Sequence, residues 1–126
     1  NDFEIVVSTI QTNNFENKNT VKVATNEDGK IIYFSRQDIP FGSEKLTITK
    51  GLVVFDLKSI NRYIQTEETH LERLEKHELQ RCSENNFSIY EFKIKNDSRS
   101  VDVQEDLDFV RDKMKNDSLL KKYINH

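Results

Sequence analysis

Val21-Lys22-Val23-Ala24-Thr25, Asn26-Glu27-Asp28-Gly29 and Lys30-Ile31-Ile32-Tyr33-Phe34-Ser35 follow one another without a gap and decide the reading of the chain. Two β-branched, apolar segments flank a polar tetrapeptide ending in Asp-Gly. That is a strand, a turn and a strand, because glycine takes a positive φ without a Cβ clash. Upstream, residues 3–10 (FEIVVSTI) are β-branched and apolar, which predicts a buried strand. The Asn-rich residues 11–20 (QTNNFENKNT) have no period and read as a surface loop. Downstream, Ile39-Pro40-Phe41-Gly42 breaks the pattern before residues 46–55 (LTITKGLVVF) return to strand character, with Gly51 marking a bulge or a close approach.

The second half alternates. Residues 56–64 read as a short helix. Thr69-His70-Leu71-Glu72 has the form of a capping box, in which the threonine caps a backbone N–H and the glutamate reaches back. It opens one helix with apolar Leu71, Leu74 and Leu79 that ends near Cys82, and residues 87–94 (FSIYEFKI) alternate as a strand. Asp102-Val103-Gln104-Glu105 resembles a second capped start, followed by Leu107, Val110 and Met114 at helical spacing. Leu119, Leu120, Tyr123 and Ile124 supply the apolar side of one further turn in a polar tail. Read alone, this is an α+β chain with thin helical cover, and a sheet face short of helices usually meets a partner.

With 126 residues, 35% of them hydrophobic, the chain fits one domain with a modest core. A net charge of -3 lacks the basic excess of a nucleic-acid footprint. No apolar run approaches a membrane span. Cys82 is the lone cysteine, so there is no internal disulfide and no thiolate metal cage, and the expected setting is the cytoplasm. The chain opens on Asn1-Asp2 with no signal-peptide pattern, and its three glycines are too scattered for a phosphate loop. These features lead us to expect a trimmed chain, a proteolytic product or an excised half of something longer, with most of any nucleotide site elsewhere.

Few residues carry chemistry by pattern. Asp102 precedes a helix, where it fits either an N-cap or a carboxylate holding Mg²⁺, a cation that leans on few carboxylates and on substrate phosphates. Arg36 ends a strand, placed either for a surface ion pair or as a fork for a carboxylate or phosphate. Glu72, Glu75 and Glu78 with Arg73, Lys76 and Arg81 form a solvated helix face. His70, His77 and His126 have no ligand spacing, and no nucleophile elbow is present.

Several strings together resemble one family. Val21-Lys22-Val23, the Asp-Gly turn, Tyr33-Phe34-Ser35-Arg36 and Ile39-Pro40-Phe41 are similar to the VKVV-LD-x-x-G-x-ALYFSR-x-x-IPW stretch of the CMP-Kdo synthetases, the 3-deoxy-manno-octulosonate cytidylyltransferases. Leu71-Glu72, Glu78 and Arg81 fall where that family has PLE-x-x-E-x-LEQLR, and residues 101–107 (VDVQEDL) resemble its VDTPEDL. The order agrees from about Glu4 to Met114. The YFSR-x-x-IPF string is rather specific, and VD-x-x-EDL is shared with other sugar-acid cytidylyltransferases.

The resemblance implies the C-terminal half of a Rossmann-like α/β nucleotidyltransferase domain, with a mixed sheet, a β-hairpin and about three helices. Residues 1–126 would be the sugar-binding and dimerisation half, with the nucleotide-binding N-terminal half absent. The complete enzyme would transfer CMP from CTP to Kdo or a relative, releasing pyrophosphate in the bacterial cytoplasm for lipopolysaccharide or capsule assembly. This piece alone would be inactive. Asp102 is similar to the family's C-terminal metal aspartate, with Mg²⁺ as cofactor. Arg36 would pair with the sugar carboxylate, Glu78 would accept its hydroxyls, and Arg81 matches the neighbouring arginine. Lys50 replaces the family's sugar-contacting His, Val53 replaces its Tyr, and Leu79 replaces the Gln of LEQLR. Unpaired sugar hydroxyls cost about 1–3 kcal/mol each, so a modified 2-keto sugar acid is as open as Kdo. The partners implied are CTP, an acidic sugar, a second copy of the chain and the missing half. The alternatives are a non-catalytic binding or dimerisation module that keeps the family frame, and a generic interaction domain.

Overall fold

The computed structural model describes residues 3–95 and 104–116. Residues 3–95 belong to one compact unit and residues 104–116 to a second. In the first, β1 (Ile5–Thr12), β2 (Lys22–Thr25), β3 (Ile31–Ser35), β4 (Leu46–Phe55) and β5 (Ile89–Lys93) join in one mixed sheet ordered β3-β2-β4-β1-β5. The helices α1 (Leu57–Ile64), α2 (His70–Glu75) and α3 (Leu79–Glu84) lie between β4 and β5. α4 (Gln104–Met114) belongs to the second unit. This is an open α/β sheet of mixed direction. β1 runs antiparallel to β4 and parallel to β5, so β4 and β5 flank β1 in opposite directions, and the segment with α1, α2 and α3 connects them.

The hairpin forms as its sequence dictates. Asn26 accepts from Gly29 through its backbone carbonyl (3.1 Å), and its side chain accepts from Asp28 N (2.9 Å) and Lys30 N (3.0 Å). Gly29 takes φ 84°, closing a three-residue loop. The tip then reaches the far edge of the sheet, where Glu91 N donates to the Gly29 carbonyl at 3.0 Å and Lys30 bridges Tyr90. Gly51 sits in a β4 bulge at φ 86°: Val7 pairs with Val53 but Thr9 with Thr49, leaving three β4 residues opposite Ser8. The Ser8 hydroxyl accepts from Leu52 N at 3.1 Å and satisfies a donor that the bulge frees.

One face of the sheet carries the core. Ile5, Val7, Val23, Ile31, Phe34 and Ile89 meet Leu79 and Cys82 of α3, with Tyr63 of α1 packed against them. Asp56 caps α1 through its bond from Ser59 N (2.7 Å), and Ser59 Oγ and Arg62 Nη1 donate to Glu4 Oε2 at 3.2 and 2.8 Å. These contacts fix which side of α1 meets the sheet and leave Leu57, Ile60 and Ile64 exposed.

The single helix expected from Thr69 to Cys82 is two. Thr69 and Glu72 form the predicted capping box of α2, but Lys76 adopts the left-handed conformation (φ 53°) and ends it. Leu74 is consequently exposed, whereas Leu79, beyond the break, is buried.

Candidate functional site

The break between α2 and α3 is where three of the five sequence-predicted residues, Arg36, Glu78 and Arg81, lie. Arg36, at the end of β3, reaches across and donates from Nε to the Glu75 carbonyl (3.1 Å) and from Nη2 to the Lys76 carbonyl (2.7 Å). Its Nη1 donates to the Asn19 carbonyl at 3.0 Å. Of a guanidinium's five N–H groups, one on each terminal nitrogen remains for another acceptor. Arg36 also lines a cleft of about 340 Å³ with Glu16, Lys18, Gln37 and Asp38.

Behind that cleft lies Lys22, which the sequence reading passed over. It is fully buried, on the side of β2 opposite Val23. Its Nζ donates to the carbonyls of Asn17, Thr20 (3.2 Å) and Arg36 (2.6 Å), and lies 3.7 Å from Asp38 Oδ1. Burial lowers the Lys22 pKa from its ordinary value, and Asp38 opposes the shift. The ammonium therefore binds the Asn-rich loop to the strand that carries Arg36.

Arg81, on α3, forms a two-pronged pair with Glu72, Nε to Oε1 and Nη2 to Oε2 both at 2.7 Å. Its Nη1 donates to the Thr66 carbonyl at 3.0 Å, and its guanidinium lies over the Tyr63 ring. The pairing with Arg81 holds the Glu72 carboxyl below its ordinary pKa. Arg81 thus ties α3 to the start of α2.

Glu78 is exposed beside His77, and both line a second cleft of about 310 Å³ with Glu68, Glu72, Arg73 and Lys76. His77 packs on Phe34 with ring centroids 4.9 Å apart, and its Nε2 is buried without a hydrogen-bond partner. Burial pushes its pKa down, with Glu78 and Glu72 opposing and Arg36 reinforcing.

Arg36, Glu78 and Arg81 are thereby brought around one turn. Lys50 lines neither cleft and sits half-buried in the β4 bulge. Val53 packs against the core, and Leu79 is buried in it. Gln80, immediately after the substituted Leu79, is buried and accepts from Phe34 N at 3.1 Å, which anchors α3 to β3. The Cys82 thiol is buried and pushed up to about 12, which makes it a core residue and a poor nucleophile. Asp102 lies outside the described residues. Among the described residues, no three His, Cys, Asp or Glu side chains gather to hold a metal ion. No helix among them is long and apolar enough to cross a membrane.

A family model for cytidylyltransferases matches residues 2–116. The chain belongs to the cytidylyltransferase family. Similar relatives include the 3-deoxy-manno-octulosonate cytidylyltransferase of Rickettsia prowazekii, 32% identical over 108 residues, which cover 84% of this chain and 44% of that protein. That of Chlorobium limicola is 35% identical over 101 residues, 76% of this chain and 41% of that protein. This member of the family therefore spans less than half the length of those relatives. A solved CMP:2-keto-3-deoxy-manno-octonic acid synthetase complexed with CTP has the same fold, with a TM-score of 0.81 and 23% identity over 89% of this chain and 49% of the other.

Proposed function

We propose that the chain is the acid-sugar-binding part of an enzyme that transfers CMP from CTP to 3-deoxy-manno-octulosonate or another 2-keto sugar acid, releasing pyrophosphate. The family match over residues 2–116 carries this reading. In the reaction, the sugar's anomeric hydroxyl attacks the α-phosphate of CTP, and catalysis rests on alignment and charge neutralisation. Arg36 is held on three backbone carbonyls and offers one N–H from each terminal nitrogen to the sugar carboxylate. Glu78, exposed on the neighbouring turn, accepts sugar hydroxyls. Lys50 lines neither cleft and enters the reading only as the residue that stands in place of the family's histidine. Arg81 holds the turn in place through Glu72.

Mg²⁺ and its ligand Asp102 belong to the proposal through the likeness of residues 101–107 to the family string. The described residues supply no further ligand set, so no step is assigned to the metal. Self-association as a homodimer and action in the cytoplasm complete the reading. A non-catalytic module that keeps the frame is favoured by one observation: Leu79 is buried and Val53 packed where the family presents polar groups.

The test measures pyrophosphate release from CTP and Mg²⁺ with a panel of 2-keto sugar acids, using the 126-residue chain and a complete enzyme containing it. Turnover only in the complete enzyme, lost in Asp102→Asn with the fold intact, is the expected result. Silence in both with folded protein would leave the non-catalytic reading. Light scattering that shows a monomer at high concentration would remove the dimer.

A further inference from the structure

We infer that the turn between α2 and α3 is a proton-gated hinge: protonation of His77 releases the turn from β3 and separates Glu78 from Arg36. The hinge stands on geometry alone, and only its meaning as a gate on a sugar site rests on the proposed function. Lys76, at the hinge, holds φ 53°, a left-handed conformation that strains a residue with a Cβ. The six-residue helices on either side add few backbone bonds of their own, so the turn depends on its outside contacts. The Lys76 N–H donates to the Glu72 carbonyl, and the Gln80 N–H donates to the His77 carbonyl at 3.1 Å. Arg36 clasps the Glu75 and Lys76 carbonyls from the end of β3. The fourth contact is the His77 ring, which packs on Phe34 with its side chain 13% exposed.

That ring holds the turn only while it is neutral. In the imidazolium both nitrogens are donors, and Nε2 is buried with no hydrogen-bond partner to accept from it. The charged groups around the ring do not compensate. Arg36, from β3, repels a positive ring, and Glu72, from α2, is committed to Arg81 by two 2.7 Å bonds. Glu78 comes no closer to Nδ1 than 3.9 Å and is 65% exposed, so water screens it. Glu68, Arg73 and Lys76 line the same cleft, one acid against two bases. Hydrating a charged His77 therefore means lifting it off Phe34. Lys76 can then relax from its left-handed conformation, the Arg36 clasp opens, and Glu78 moves with its neighbour. The sign follows from burial, which holds the closed-state pKa of His77 below its ordinary 6.5. The open turn binds the proton more tightly, so opening becomes easier as pH falls from about 6.5 towards the closed-state value, by at most roughly tenfold per pH unit.

The experiment follows amide exchange of the 126-residue chain by NMR, with each rate corrected for the intrinsic effect of pH. Between about pH 7.5 and 5.5 the Lys76 and Gln80 amides lose roughly threefold or more of their protection. The Asn26 amide, which donates to the Lys30 carbonyl at 2.9 Å in the exposed hairpin, exchanges by local fraying and keeps its protection. His77→Phe and His77→Gln remove the titrating group while keeping a ring or a polar side chain, and the loss at Lys76 and Gln80 disappears in both. Circular dichroism confirms that each variant folds, and either one suffices for the comparison. The inference is overturned if the Lys76 and Gln80 amides are unprotected at neutral pH, or stay equally protected as pH falls. It also falls if a folded variant shows the same loss as the parent. A loss at Asn26 by the same factor overturns it too, because His77 would then report global unfolding and not a hinge. Turnover is not measured, so a failed hinge leaves the proposed activity standing, and a failed activity leaves the hinge.

Discussion

Replacing Arg81 with methionine separates a structural arginine from one held in reserve for substrate. The guanidinium makes two 2.7 Å charge-assisted bonds to Glu72 and a third bond to the Thr66 carbonyl at 3.0 Å. Both partners are shielded, with side-chain exposures of 18% for Arg81 and 9% for Glu72. Methionine keeps the packing on Tyr63 and leaves the carboxylate without its cation. Stranding a buried charge costs roughly 3–5 kcal/mol, and the residual exposure here points to about 3 kcal/mol. At about 2.1 cal/mol/K of unfolding entropy per residue, that lowers the melting temperature by roughly 11 °C. Glu72→Gln keeps a side-chain acceptor for Thr69 N and removes the charge, so a double-mutant cycle isolates a coupling of about 2 kcal/mol at pH 7. The folded-state pKa of Glu72 lies below its ordinary 4.5 because of Arg81. The coupling is therefore fully present above that value and fades as pH falls through the lower folded value. Thermal melts of the four proteins at pH 7 and at steps downward from pH 4.5 provide the measurement. An Arg81→Met melt within a degree of the parent, or a coupling that shows no decline as pH falls, refutes this assignment.

Three other perturbations test the rest of the scaffold. Lys22→Met leaves the Asn17, Thr20 and Arg36 carbonyls and Asp38 without their shared donor, an expected loss of about 3 kcal/mol in urea unfolding; an unchanged midpoint contradicts it. His77→Phe keeps the contact with Phe34 and removes the unpaired Nε2. Because burial lowers the folded pKa of His77 below 6.5, the unfolded chain takes up the proton first, and the parent loses stability as pH falls through that window. The variant should have a flatter stability profile between pH 7 and 5, and parallel profiles would dismiss His77 as the source. Gly51→Ala places a Cβ at φ 86° with no atom within 4 Å, so the expected cost of about 1–2 kcal/mol is purely conformational; calorimetry showing none would argue for a relaxed bulge.

Local chemistry was legible where it was local. The hairpin, the capping box at Thr69, the full extent of β4 and the Gly51 bulge all follow from neighbouring residues, and the structure has each of them. The helix break was not legible, because its lock comes from Arg36, about forty positions away, through carbonyls that carry no sequence mark. Lys22 was hidden for a related reason: one lysine in an apolar strand reads as its solvent-facing residue, and only the tertiary fold supplies three carbonyls to bury it. Gln80 looked like one more polar helix residue until β3 presented the Phe34 N–H. The short helix at residues 56–64 was legible, but which of its sides meets the sheet was set by Glu4 holding Ser59 and Arg62. For the candidate site, the family strings pointed to Arg36, Glu78 and Arg81, and the fold places all three around the break between α2 and α3.

That convergence changes how activity in this family member should be read. Arg36 holds the α2–α3 turn that presents Glu78, and its own carbonyl is one of the three that hold the buried Lys22. Arg81 holds the same turn from the other side through Glu72. Each arginine is therefore structural in this chain, and under the proposed function any role toward a sugar falls to the N–H groups that remain. Loss of turnover on removing either one would not distinguish contact with the sugar from displacement of the turn. Glu78, exposed and making no capping bond at the start of α3, is the better discriminator. Its truncation leaves these anchors untouched, so a change in sugar affinity there would report the pocket rather than its frame.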